Sequence, residues 1–254
     1  MTTHFKVIIP FYNVQKWIIS CIRSVKAQNY EDYKVVLVND ESTDETVSII
    51  EKEIKNNENF SLIHTGQNGG ALNSTFLGIS AADPGDEAVI IVLDGDDWLA
   101  NKNVFNILDK TYSENNCLMT YGSYVEYPSK TRGKFSRKVP DNIIKEKLFR
   151  NAHWMTSHLR TFKFRLWKNV KKEDVLDSEG KIYSMAGDLP VIFPMLEMAE
   201  ERSFYIRDIL HIYNRSNPLN EDKVNHNLQL GIEAEVRKKS VYPRLETVEK
   251  SNET

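Results

Sequence analysis

Ala88-Val89-Ile90-Ile91-Val92-Leu93 is a continuous apolar run that breaks abruptly into Asp94-Gly95-Asp96-Asp97-Trp98. A strand that is apolar at every position is covered on both faces, as central strands of parallel sheets are. Two upstream runs share this character. Lys6-Val7-Ile8-Ile9 reads as a strand stopped by Pro10, and residues 34–38 as a second that ends at Asn39-Asp40. Between them Val14, Trp17, Ile18, Cys21, Ile22 and Val25 recur at helical spacing behind Asn13, a candidate cap. Ser42 with Glu45 predicts a capping box opening a helix through Val47, Ile50 and Ile54. Residues 60–64 read as a weaker strand, and Gly69-Gly70 turns the chain into a helix over 71–82. Alternating strands and helices predict an α/β fold built on a parallel sheet.

The second half is less regular. Residues 118–127 predict a strand, 130–138 a basic loop, 142–150 a helix and 155–167 a partly alternating strand. A helix is expected over 188–199, with Pro190 in its first turn where proline is tolerated, then a strand over 203–214. Beyond Pro218 the chain turns polar, with a helix expected around 228–236 and a frayed last dozen residues.

Bulk properties exclude several classes. The 254 residues, 41% hydrophobic and 27% charged, are ample for one sizeable core. A net charge of −3 offers no global basic field for nucleic acid, so anion recognition has to be local. Cys21 and Cys117 are too few for a disulfide framework or a Cys-based zinc site, and read as core residues. No uncharged run approaches the roughly 18–20 residues that cross a bilayer, and no signal peptide is legible, so a cytoplasmic location is expected. The oligomeric state is not readable.

The acids sit where chemistry is expected. Asp40 ends one buried strand, and Asp94, Asp96 and Asp97 end another. Ligands of open α/β sheets bind beyond the carboxyl ends of the strands, where such carboxylates converge. An all-oxygen cluster suits a hard divalent cation, with Gly95 permitting a tight turn; a solvated acidic turn is the plain alternative. Across a diphosphate, such a cation would act as a Lewis acid on the leaving group.

Three blocks carry a resemblance: Val7-Ile8-Ile9-Pro10-Phe11-Tyr12-Asn13, then Val36-Leu37-Val38-Asn39-Asp40-Glu41-Ser42-Thr43-Asp44, then Leu93-Asp94-Gly95-Asp96-Asp97-Trp98. Their order and separation over about the first 115 residues resemble the opening of family 2 glycosyltransferases, the last block looking like the DXD metal motif. The resemblance implies the GT-A fold, a mixed and mostly parallel central sheet flanked by helices. It also implies inversion at the anomeric carbon, a nucleotide-sugar donor, here expected to be a UDP-sugar, and Mn2+ or Mg2+ as cofactor. The acceptor would be a hydroxyl of a saccharide or glycoconjugate. A catalytic domain is expected over 1–217, with the nucleotide-binding half to about 115 and the acceptor half from 116. A C-terminal helix and flexible tail are expected over 218–254.

Roles follow residue by residue. Pro10 and Tyr12 would border the nucleobase, and Asp40 would accept from a uracil-like ring nitrogen. Asp94 would hold the ribose or the metal shell, and Asp96, with or without Asp97, the cation. The arginine of the family's usual Arg-Asn pair is missing from Asn68-Gly69-Gly70-Ala71-Leu72-Asn73, which retains Asn73 as a donor contact. The family's acid pair matches Ala186-Gly187-Asp188-Leu189-Pro190, with glycine in place of glutamate, so Asp188 is the general base or else simply a helix cap. His211 is either the late metal-binding histidine or a core residue, and Arg215 either meets the diphosphate or forms a surface ion pair.

On the acceptor side, residues 153–163, with Trp154, His158 and Arg160, mix aromatic and polar groups suited to a sugar, as does Trp98; ordinary core aromatics are the alternative. The basic run of Lys130, Arg132, Lys134, Arg137 and Lys138 would meet an anionic acceptor or a membrane periphery, or be a solvated loop. Two rivals stand. A sugar-phosphate nucleotidylyltransferase would need a glycine-rich basic loop after the first strand, where Pro10-Phe11-Tyr12-Asn13 stands instead. A non-catalytic nucleotide-sugar-binding module would keep the acids but lack a working base. A dinucleotide oxidoreductase is disfavoured because no G-x-G-x-x-G follows that strand.

Overall fold

The computed structural model describes residues 2–246. Its elements in order are β1 (Phe5–Phe11), α1 (Ile18–Lys26), β2 (Tyr33–Asn39), α2 (Thr46–Ile54), β3 (Phe60–His64), α3 (Gly70–Ala82), β4 (Val89–Val92) and β5 (Trp98–Leu99). Then come α4 (Val104–Glu114), β6 (Met119–Tyr127), α5 (Asp141–Lys145), β7 (Thr161–Lys163), α6 (Phe164–Trp167), α7 (Leu189–Ala199), β8 (Ser203–Asn214), α8 (Glu221–Val224) and α9 (His226–Lys238).

One eight-stranded sheet runs β3-β2-β1-β4-β7-β6-β8-β5. The first four strands are parallel, as continuous apolar runs predict. β7 lies antiparallel between β4 and β6, β8 runs parallel to β6, and β5 closes the far edge antiparallel to β8. Alternate residues of β1 feed two cores. Val7, Ile9 and Phe11 pack with Ile18 and Ile22 of α1 and Phe105 and Leu108 of α4, while Ile8 packs with Leu72 and Ile79 of α3 and with α7. Gly78 lets α3 press against the sheet: a Cβ there would stand 2.5 Å from Ile8 Cγ2 and 2.8 Å from Val38 Cγ2.

Several local expectations are corrected. Pro10 does not stop β1; it continues the strand opposite Val38. Its carbonyl still accepts from Gly95 N at 3.0 Å on the β4 side, past the last β1–β4 pair Ile8–Val92. Asn13 does not cap α1, which starts at Ile18; in a left-handed turn (φ 51°) its side chain accepts from Thr43 N at 2.8 Å and ties the two strand-end loops together. The Ser42/Glu45 box is also displaced. Ser42 Oγ accepts from Asn13 N, and Asp44 Oδ1 accepts from Thr46 N at the start of α2.

The 142–150 helix breaks at Lys147 (φ 52°) into α5 and a 3-10 turn, Leu148–Arg150, which turns Arg150 inward. Of 155–167 only β7 is strand, and α6 follows it directly. α4 and β5 are additional to the elements predicted.

The C-terminal segment is docked onto the body. Ile232, Val236 and Tyr242 belong to the α7 core, and Arg202 donates to Leu245 O at 2.7 Å. Of the dozen residues expected to fray, 243–246 are placed, and 247–254 lie outside the described residues.

Candidate active site

The carboxyl ends of β1, β2 and β4 open into a cleft of about 470 Å³ that is roofed by α3, the start of α7 and the chain after β8. Pro10, Tyr12, Asp40, Asp94, Asp96, His158, Arg160 and Asp188 all line it. Asn73, Asp97, Trp98, Trp154, His211 and Arg215 do not. The sheet makes the meeting possible, because parallel strands end on one edge and side chains distant in sequence share one crevice.

Asp40 is buried, and its carboxylate accepts from Gly69 N at 3.0 Å and Gly70 N at 2.8 Å. It therefore organises the turn into α3 while facing the cleft. Asn73 folds its amide back over Gly69, where a Cβ would stand 2.4 Å from Asn73 Nδ2. Tyr12 stands at the mouth, 39% exposed.

The acidic turn is held from beneath. Gly95 is needed for close approach: a Cβ would lie 2.6 Å from Phe11 Cβ and 3.3 Å from Pro10 O. Asp94 and Asp96 reach the cleft, whereas Asp97 turns inward, accepting from Asn214 N at 2.7 Å and from His211 Nε2 at 2.8 Å. Asp97 and His211 thus tie the turn to β8. Burial holds His211 down to about 3, helped by the Arg160 charge, so it is a neutral donor. Asp96 Oδ2 accepts from Asn217 Nδ2 at 2.7 Å.

Electrostatics set Asp94 apart. Burial, then Asp97, Asp96 and Asp188 in turn, push its carboxyl well above the usual range, opposed by Arg160. Burial likewise raises Asp96, against the Asn217 hydrogen bond. Crowded, part-buried carboxylates of this kind are matched by a hard cation, and Asp94 with Asp96 form an oxygen-only pair that fits one. Among the described residues no three His, Cys, Asp or Glu side chains converge on one point, so further ligands would be phosphate oxygens and water.

Asp188 occupies the cap position of α7 without capping it. Its backbone is already helical (φ −66°, ψ −47°), and its side chain bonds none of the orphan helix N–H groups. The carboxylate, 57% exposed, instead receives Arg160 Nη2 at 2.5 Å. Gly187 before it has no room for a side chain, since a Cβ would stand 2.8 Å from Leu72 Cβ.

The other expected residues lie elsewhere. Trp154 packs edge-on against Phe193 in the core, Trp98 stacks edge-on with Tyr127, and Arg215 lies over the Tyr213 ring. In the basic run, Arg132 donates to Ser123 Oγ at 2.6 Å and Tyr205 OH at 3.1 Å, pinning that loop to the sheet. Sequence reasoning did not single out Asn68, Ser184, Asn217 or Gln229, all of which line the cleft. They come from loops and α9, where no local pattern marks them.

The chain resembles the crystal structure of S. aureus TarS 1–349 in complex with UDP-GlcNAc (TM-score 0.59, 20% identity, 85% of this chain and 59% of that one). It also resembles the mannosyltransferase PcManGT from Pyrobaculum calidifontis in complex with GDP-Man and Mn2+ (TM-score 0.56, 16% identity, 87% and 59%). The fold is thus the GT-A-like fold of nucleotide-sugar glycosyltransferases. The model of Glycosyl transferase family 2 matches residues 6–170, and the chain belongs to that family. Among relatives, glycosyltransferase GlyG of Streptococcus pneumoniae serotype 4 is 24% identical over 225 residues, 85% of this chain and 72% of GlyG. The uncharacterized glycosyltransferase EpsJ of Bacillus subtilis is 26% identical over 84% of this chain and 61% of EpsJ. The chain therefore spans only about three fifths of EpsJ and of the TarS fragment. Among the described residues no helix is long and apolar enough to cross a membrane.

Proposed function

We propose that the protein transfers a sugar, with inversion, from a UDP-sugar to a hydroxyl of a saccharide or glycoconjugate acceptor, assisted by Mn2+ or Mg2+. One observation carries the reading: Asp188 presents a carboxylate not spent on capping α7 to the same cleft that holds Asp40, Asp94 and Asp96. The donor's base would lie between Tyr12 and Asp40, and its diphosphate beside Asp94 and Asp96. A divalent cation held there would neutralise the diphosphate as the sugar–phosphate bond breaks. Asp188 accepts the acceptor hydroxyl's proton while that oxygen attacks the opposite face of the anomeric carbon. Leu219, Asn220 and Gln229 line the cleft from the chain after β8.

A UDP donor is supported by the placement of Asp40 and by the UDP-GlcNAc complex of the TarS structure. The test is release of UDP from UDP-GlcNAc and of GDP from GDP-mannose, each with Mn2+, Mg2+ or EDTA. UDP release that needs metal, is lost in Asp96→Asn and in Asp188→Asn, and in the latter leaves UDP affinity intact, is expected. Near-normal turnover in Asp188→Asn, or calorimetry showing GDP bound far more tightly than UDP, would refute the assignment.

A further inference from the structure

Among the described residues the cleft is lined by four carboxylates, Asp40, Asp94, Asp96 and Asp188, and by a single side chain carrying a fixed positive charge, Arg160. Arg160 immediately precedes β7, whose Thr161 pairs with Ile91 of β4, three residues before Asp94. Sheet register therefore fixes Arg160 relative to the acidic turn. Its side chain is 9% exposed, against 57% for the aspartate that it holds, so the arginine is the anchored member of the pair. Behind it the guanidinium touches the His158 ring, with Nη2 3.3 Å from Nδ1. That ring is clamped in a stack, 4.7 Å from His211 and 5.6 Å from Tyr213. His211 is in turn bonded to Asp97. A continuous series of contacts thus leads from the underside of the acidic turn to the tip of Asp188.

We infer that Arg160 is a positioning residue: it fixes the Asp188 carboxylate relative to the donor site and acts on transfer through Asp188. The inference rests on the reading of Asp188 as the base. An exposed aspartate without such a partner would sample several rotamers, and only those aimed at the acceptor hydroxyl are productive. Misplacement of a reacting group by about 1 Å costs on the order of 100-fold in rate. Nη2 makes both the ring and the carboxylate contacts, and UDP affinity separates positioning from a diphosphate role for the rest of the guanidinium. Lysine, a point donor on a flexible stem, would hold the carboxylate less rigidly than a planar guanidinium set against the ring.

The test is metal-dependent UDP release from UDP-GlcNAc, with water as acceptor, by wild type, Arg160→Gln, Arg160→Lys, Asp188→Asn and the Arg160→Gln/Asp188→Asn double variant. UDP affinity is measured in parallel by calorimetry, and folding by thermal unfolding. Arg160→Gln is expected to lower kcat on the order of 100-fold, with KM and UDP affinity within about twofold of wild type. In the Asp188→Asn background, where release is already lost, the same change is read by UDP affinity, which should stay within about twofold of Asp188→Asn alone. Methylguanidine should partly restore kcat to Arg160→Ala, and Arg160→Lys should recover little.

UDP affinity weakened about tenfold or more by Arg160→Gln, in either background, assigns Arg160 to the diphosphate and overturns the inference. Normal kcat in Arg160→Gln, with Asp188→Asn inactive, overturns the positioning role alone. Wild-type turnover in Asp188→Asn removes the base reading first. Should Arg160→Gln fail to fold, Arg160→Lys decides the matter: low kcat with UDP affinity kept supports positioning, and wild-type kcat or affinity weakened about tenfold overturns it.

Discussion

The ion pair between Arg150 and Glu197 offers a direct check on how the C-terminal segment is held to the helix that presents Asp188. Arg150 is 4% and Glu197 0% exposed, and two parallel bonds join them, Nε to Oε1 at 2.6 Å and Nη2 to Oε2 at 3.0 Å. Each has a second duty. Arg150 Nη1 donates to Val236 O in α9 at 2.7 Å, and Glu197 Oε2 accepts from Tyr242 N at 3.0 Å. Glu197→Gln keeps the shape but leaves a buried guanidinium without its counter-charge, which typically costs about 3–5 kcal/mol. The amide oxygen still accepts one bond, so about 3 kcal/mol is expected, or a fall in Tm of roughly 6–12 °C for a chain of this size. Removing both charges, as Arg150→Met with Glu197→Leu, removes the uncompensated charge but leaves Val236 O and Tyr242 N without these partners, so it should recover only part of that loss. Urea unfolding followed by circular dichroism measures both variants. A Glu197→Gln protein within about 1 kcal/mol of wild type would refute the reasoning, since a pair that solvent reached would cost no more than that.

Three further outcomes are expected. Gly78→Ala gains up to about 1 kcal/mol of helix propensity but forces a methyl against Ile8 and Val38, so a net loss of about 1–2 kcal/mol should appear in urea unfolding. Gly95→Ala would push the acidic turn off Phe11 and Pro10, and should weaken UDP binding in Mn2+ about tenfold or more by calorimetry. Asp40→Ala strips the acceptor from Gly69 N and Gly70 N, which should cost about 1–3 kcal/mol and speed hydrogen exchange of those two amides. Unchanged exchange there would show that Asp40 does not organise the turn.

The parallel half of the sheet was legible because burial on both faces leaves an unmistakable trace in sequence: β1 to β4 and α3 lie close to where apolar runs and glycine turns placed them. The acids at the strand ends were legible for the same reason, since the end of an apolar run is also the end of a strand. Caps were misread at Asn13 and Ser42 because the loops bearing them bond to each other across the crevice, a competition that local pattern cannot register. The second half was harder because its elements are short and irregular: β7 has three residues and α6 four.

What the sequence alone determined is the α/β sheet and the acids at its strand ends, because both depend on local runs; the GT-A fold came through the resemblance that three ordered motifs carry. Which acids face the cleft was decided only in three dimensions. Asp94, Asp96 and Asp97 are neighbours along the chain, yet the close approach of Gly95 to β1 and the pairing of β5 with β8 turn the first two outward and bury the third against His211. The contact between Arg160 and Asp188, 28 residues apart, likewise exists only because β7 lies beside β4 and α7 starts above that edge. Side-chain direction at a site is set by partners remote in sequence, and no local periodicity encodes it.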